Sequence, residues 1–211
     1  MLAASYARAD NVVIDAFAFV PPTTINVSSV APGTAVAYAD LQAGQFTGTL
    51  NGASFLTYCT ELTQSFNFGQ TYTDYSVVDG VAAWGATASL QLDKLMTAAI
   101  QASYPTDSDT SALIQASIWE ILYETVGGTH SFTSGTFTAS SNVASTQNVL
   151  TNGINWSALD GSPVAYHVSQ LHSETGQDFM VITAVPEPST YALMFAGLVG
   201  IGFVARRRAP R

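Results

Sequence analysis

The chain is short of positive charge. Of its 211 residues six are Lys or Arg (Arg8, Lys94, Arg206, Arg207, Arg208 and Arg211), and four of these fall in the last six positions. The stretch between Arg8 and Arg206 holds one basic side chain in a protein of formal net charge −9. Binding a phosphate backbone needs clustered Lys or Arg, so nucleic acid is set aside as a partner. Charged residues make up 10% against 47% apolar, which leaves the surface to Ser, Thr, Asn, Gln and Gly. Cysteine is nearly absent. Cys59 stands alone, so no intrachain disulfide forms; in an oxidising compartment this thiol must be buried, reactive, joined to another chain or modified. There is no phosphate loop, zinc spacing or G-x-S-x-G elbow. Asp107-Ser108-Asp109 opens like a calcium loop, but Ala112 and Ile118 stand where its Gly and Glu belong, and a helix cap accounts for these aspartates better. A cysteine hydrolase would need a His partner, and His130, His167 and His172 lie in no recognisable motif. The expectation is a non-enzyme with no metal and no cofactor.

The two ends are distinctive. Val185-Pro186-Glu187-Pro188-Ser189-Thr190 breaks any helix, because each proline fixes φ and pushes its predecessor into extended geometry. An uninterrupted apolar run follows from Tyr191 to Ala205, expected as a membrane helix over 190–205. Arg206-Arg207-Arg208 closes it. At about 1.5 Å per residue the run spans roughly 22 Å, short of the ~30 Å hydrocarbon core, with arginines that snorkel and stay cytoplasmic. An ordinary C-terminal anchor shares part of this pattern. The order Pro-Glu-Pro, short apolar run and basic stop resembles the PEP-CTERM sorting signal of Gram-negative bacteria, a tail also labelled ice-binding-protein C-terminal domain. That resemblance implies export, recognition of Pro186, Glu187 and Pro188 by an exosortase, cleavage there, and passage from the inner membrane to the cell surface or extracellular matrix. At the other end, Ala7-Arg8-Ala9 forms an A-x-A pattern before Asp10. No basic n-region and no apolar stretch precede it. Residues 1–9 are expected to be the remnant of a signal peptide whose start lies upstream; a chance A-x-A in an alanine-rich segment is the alternative.

Between these ends, 10–184 reads as one exported globular body. Asn11–Val20, Ala35–Tyr38, Gly44–Leu50 and Ser54–Leu62 read as short strands, with Asn51-Gly52 a hairpin turn between the last two. Leu92, Leu95, Met96, Ala99, Ile100 and Ser103 then share a helical face that Pro105 ends. A second helix is capped by Asp107-Ser108-Asp109 and runs to about Val126, stopped by Gly127-Gly128. Ser141–Leu150 is a weaker third helix. Val164–His172 and Gln177–Ala184 form a closing hairpin around Thr175-Gly176. Strands, helices, then strands predict an α+β fold of short antiparallel strands, a central helical segment, a closing β-hairpin and one C-terminal hydrophobic helix.

One residue of the second helix is out of place. At about 100° per residue, Ser117, Glu120 and Glu124 define a wet face, and Gln115 lies opposite among Ser111, Ile118, Trp119 and Leu122. A buried amide needs a partner. Backbone hydrogen bonds are the common answer, and a lone strand Cys is usually a small buried hydrophobe. Taken together, however, Tyr58-Cys59-x-x-Leu62 on a strand and Gln115-x-x-Ile118-Trp119 on a helix resemble the bacterial thioester domains, which are surface adhesion modules. That resemblance spans roughly Phe55 to Tyr123. It implies that Cys59 and Gln115 condense with loss of ammonia to an internal thioester shielded by Tyr58 or Trp119. An amine- or hydroxyl-bearing partner would then open the thioester and stay covalently tethered. The chain departs from that family's Thr-Gln-x-Ala-hydrophobic-Trp pattern at Ile114 and Ser117. A non-covalent structural protein of the matrix is the other reading.

Overall fold

A computed structural model of the chain describes residues 10–31, 35–124 and 129–186. The expected signal-peptide remnant, the expected Gly127-Gly128 stop, Glu187, Pro188, and the expected membrane helix with Arg206, Arg207 and Arg208 lie outside the described residues.

Val12 and Ile14 alternate inward on β1 (Asp10–Phe17), both with no solvent exposure, and define the inner face of the larger sheet. β1 pairs antiparallel with β4 (Phe46–Leu50), and Asn51-Gly52 turns β4 into β5 (Ala53–Thr57). Both turn residues have positive φ, 52° and 81°, which Asn and Gly adopt at low cost. On the other side β1 pairs with β6 (Thr71–Asp79), β6 with β8 (Tyr166–His172), and β8 with β9 (Phe179–Ala184), all antiparallel. The order is therefore β5-β4-β1-β6-β8-β9. Its two edges come back together. Just beyond β5, Thr60 donates its N–H to the Asp178 carbonyl at 2.9 Å, and Met180 donates to the Tyr58 carbonyl at 3.1 Å. Cys59 and Phe179 face each other across this short bridge. The sheet is a nearly closed barrel, and Cys59 sits on its seam.

A three-stranded antiparallel sheet packs beside it. β2 (Thr23–Ser29) lies between β3 (Val36–Ala43) and β7 (Phe137–Ser140). β2 alternates strictly, burying Thr23, Ile25, Val27 and Ser29. β2, β6 and β7 leave little periodic mark in the sequence, because none shows more than two or three inward apolar residues among Thr and Ser.

The helices follow β6. α1 (Gly80–Gln101) starts earlier than its apolar face predicts; Asp79 caps it by accepting from the Val81 and Ala82 N–H groups at 2.9 and 3.3 Å. A kink at Gly85 (φ 81°) separates its aperiodic first turn from the face bearing Leu92, Leu95, Met96 and Ala99. α2 (Ser108–Tyr123) is capped as expected: Asp107 accepts the Thr110 N–H at 2.8 Å and Thr110 Oγ1 accepts the Asp107 N–H at 3.2 Å, a reciprocal capping box. α3 (Ala144–Asn152) and a short α4 (Trp156–Asp160) complete the layer. Among the described residues no helix is long and apolar enough to cross a membrane.

α2 corrects one expectation. Its supposed wet face is dry: Ser117 and Glu120 have no exposure at all and Glu124 is half-buried. The helix runs between two cores. Ala112, Leu113, Ala116, Trp119 and Tyr123 pack with the barrel interior and the small sheet; Ile114, Ile118 and Ile121 pack with α1. The polar face is covered by the segment leading into β7, whose N–H groups its carboxylates accept: Ser131 to Glu120 at 2.8 Å and Thr136 to Glu124 at 2.9 Å. Helical periodicity registers polarity, and here polarity answers backbone donors rather than water.

Candidate site at the barrel seam

The site grows from five residues, Thr57 to Glu61. The chain here is extended against Asp178–Met180, so successive side chains take opposite faces. Tyr58 goes to the α1 core with Leu92, Leu95 and Met96; Cys59 goes to the other, with Phe46, Trp119 and Phe179. The alternation corrects one implied role: Tyr58 does not line the space beside Cys59, whereas Trp119 does.

The ladder also explains why Gln115 is where it is. In the bridge to β9 the bonded groups belong to Tyr58 and Thr60, so the N–H and C=O of Cys59 point away from β9. No further strand covers them. Gln115, midway along α2 and 1% exposed, supplies both missing partners. Its Oε1 accepts the Cys59 N–H at 3.0 Å and its Nε2 donates to the Cys59 carbonyl at 2.8 Å. The side-chain amide acts as a one-residue strand. The two residues singled out from sequence are thus brought together, and the common answer for a buried amide, bonding to backbone, applies with Cys59 itself as the backbone.

A cleft of about 480 Å³ opens over this pair, with Phe46, Phe66, Trp119, Glu61, Gln64 and Gln177 among its walls. Cys59 is 7% exposed. Burial, and then the negative field of Glu61, push its thiol well above the ordinary thiol range. Glu61 is itself raised, chiefly by burial, and is partly held down by the Asp178 N–H that its Oε1 accepts at 2.9 Å. Its Oε2 accepts from the Thr63 hydroxyl at 3.2 Å. Two polar atoms of the cleft residues have no partner among the described residues: the Trp119 indole N–H and Gln64 Oε1. None of the histidines lines the cleft. His167 is bonded to Asp93, His172 to Asp178, and His130 lies against Glu120. Sequence reasoning overlooked Glu61 and Gln64. The signal for Glu61 was available, since a residue two beyond Cys59 on an extended segment shares its face.

The tail supplies the identification. Residues 184–208 match the PEP-CTERM protein-sorting motif. The chain therefore carries the signal of an exported protein that passes the membrane and is processed by an exosortase. The motif starts where the body ends: Ala184 is the last residue of β9, and the Val185 N–H, one residue into the motif, is bonded to the Ala165 carbonyl at 2.8 Å. No curated protein and no solved structure matches the chain.

Proposed function

We propose that this is a non-enzymatic protein of the cell surface or extracellular matrix of a Gram-negative bacterium. In this reading it is released from the inner membrane through its sorting motif and tethered covalently to an amine- or hydroxyl-bearing partner through an internal Cys59–Gln115 thioester. The observation that carries the reading is the clasp of the Gln115 amide by the backbone of Cys59. The Cys59 N–H polarises the Gln115 carbonyl, as an oxyanion-hole donor does, and the Cys59 carbonyl holds the nitrogen that would leave. Attack by Cys59 Sγ on Gln115 Cδ forms the S–C bond and releases ammonia. Cys59 and Gln115 are themselves buried, at 7% and 1% exposure, which keeps the product from bulk water. A scarcity of amines in the body, where Lys94 is bonded to the Asp160 carbonyl, limits self-reaction.

The second reading is a structural or binding protein of the matrix that makes no covalent bond. It is favoured by the same two hydrogen bonds, which give both the oxygen and the nitrogen of the amide a backbone partner without condensation.

The test is a blot of surface fractions of the host after boiling in detergent and reductant. The tether reading expects part of the wild-type chain at higher mass, joined to partner, and all of Cys59→Ala at monomer mass. Identical patterns would leave the non-covalent reading. Sorting is tested separately by replacing Pro186, Glu187 and Pro188 with Ala, which should retain the protein in the inner membrane. Undiminished arrival at the surface would refute the sorting role.

A further inference from the structure

Resting on the thioester reading above, we propose that Glu61 is the proton carrier of the Cys59–Gln115 centre. It takes the thiol proton as the bond forms and passes it to the Gln115 nitrogen, which leaves as ammonia. When the bond is opened, it takes the proton of the incoming amine or hydroxyl and returns it to sulfur.

Three observations converge on this residue. First, placement: Glu61 follows Cys59 by two positions on a segment pinned to Gln177–Met180, and Glu61, Cys59 and Gln115 all line one cleft. Second, lack of rivals: the other ionisable groups on these walls are Asp40, which is exposed, and Tyr38, whose hydroxyl donates to the Leu62 carbonyl at 2.8 Å. Asp178 and His172, whose charges also act on Glu61, lie off these walls and are bonded to each other at 2.9 Å, and the Tyr123 hydroxyl accepts the Leu62 N–H at 3.0 Å. Third, spare capacity: each Glu61 oxygen accepts one hydrogen bond, which leaves lone pairs free for a proton in transit. The cleft is also furnished for a visitor. The Trp119 indole is 3% exposed and its N–H is unspent; Gln64 Oε1 is an unspent acceptor. Unpaired buried groups of both kinds stand ready for a partner that brings an acceptor and a donor.

The chemistry needs a carrier. A thiol buried at the seam stays protonated at neutral pH, and the thiolate is the nucleophile. A carboxylate that burial makes more basic than a surface one is better matched to take that proton. The steps balance without oxidant or reductant. In condensation the S–H bond breaks, S–Cδ forms, Cδ–Nε2 breaks, and ammonia leaves carrying the former thiol proton. In opening, the nucleophile bonds to Cδ, S–Cδ breaks, and the nucleophile's proton reaches sulfur through Glu61.

The experiment follows loss of the ammonia-deficient mass of the full chain on adding methylamine, across pH and corrected for the fraction of free amine. Wild type, Glu61→Gln and Glu61→Asp are compared. The wild-type rate should rise through one ionisation lying above the usual carboxylate range and then level. Glu61→Gln should react roughly 10²–10⁴-fold more slowly and lose that ionisation, with Glu61→Asp between the two. A Glu61→Gln protein that folds as wild type but never loses ammonia supports the same role in bond formation. Equal rates and equal profiles would overturn the proposal while leaving the thioester intact. If Glu61→Gln fails to fold, Glu61→Asp decides: a slower rate with a shifted ionisation supports the role, and a rate and profile equal to wild type refute it. A wild-type chain with no mass deficit takes down the thioester reading first, and this one with it.

Discussion

Gln115 and Glu120 are both polar, both on α2, five residues apart, and both buried, at 1% and 0% exposure. Their surroundings treat them differently. Gln115 spends its acceptor and a donor on one residue, Cys59, on the side where a strand's backbone would otherwise be orphaned. Glu120 accepts the Ser131 N–H with Oε1, while its Oε2 has no hydrogen-bond partner among the described residues and His130 Nδ1 stands 3.5 Å from Oε1. The first side chain completes a sheet; the second fastens a loop and keeps capacity to spare. Burial alone does not say what a polar group is for. The geometry of the groups it faces does.

The sharpest way to break this comparison is truncation. Gln115→Ala leaves the Cys59 N–H and C=O buried without partners, each costing about 1–3 kcal/mol, so a loss of roughly 2–6 kcal/mol is expected in denaturant unfolding. Glu120→Gln should cost less than about 1 kcal/mol, because its Oε1 still accepts the Ser131 N–H and the substitution replaces only an oxygen that has no partner among the described residues. Equal losses would erase the distinction between the two sites.

How far the sequence led depends on the same point. The capping aspartate, the Asn51-Gly52 turn, the closing hairpin and the core face of α1 were legible because each is a local pattern with a local cause. β2 and β6 were not, since their burial comes from partners distant in sequence and their faces carry Thr, Ser and Asn. The dryness of Glu120 was invisible for the same reason: the Ser131 N–H that answers it belongs to a later segment. The apolar arc around Gln115 demands a partner for the amide, but the expectation that the partner is Cys59 rests on the resemblance to thioester domains. That the partner is the backbone at a barrel seam required the β9 pairing. The tail was the most legible part of all, being a linear signal.

Smaller effects sharpen the contrast with purely structural polar groups. Asp107→Ala removes a reciprocal cap and should cost about 1 kcal/mol, with no change in reactivity toward amines. His172, held above the ordinary histidine value of 6.5 by its bond to Asp178, stabilises the fold fully below that value and loses this contribution as pH rises through its folded pKa. Because the imidazole is substantially exposed, His172→Ala should cost only a few tenths of a kcal/mol at acidic pH and nothing measurable in mildly alkaline buffer. A loss that grows with pH would reverse the assigned sign.

The measurement that bears most directly on the central claim is the intact mass of the purified full chain beside Cys59→Ala prepared identically. A bonded Cys59–Gln115 pair predicts that wild type is lighter by one ammonia, after allowing for the substitution. It also predicts that methylamine restores the mass with one added methyl group at Gln115 and leaves Cys59 free to alkylate. A wild-type chain of full mass, whose Cys59 alkylates on unfolding without prior amine treatment, would contradict it.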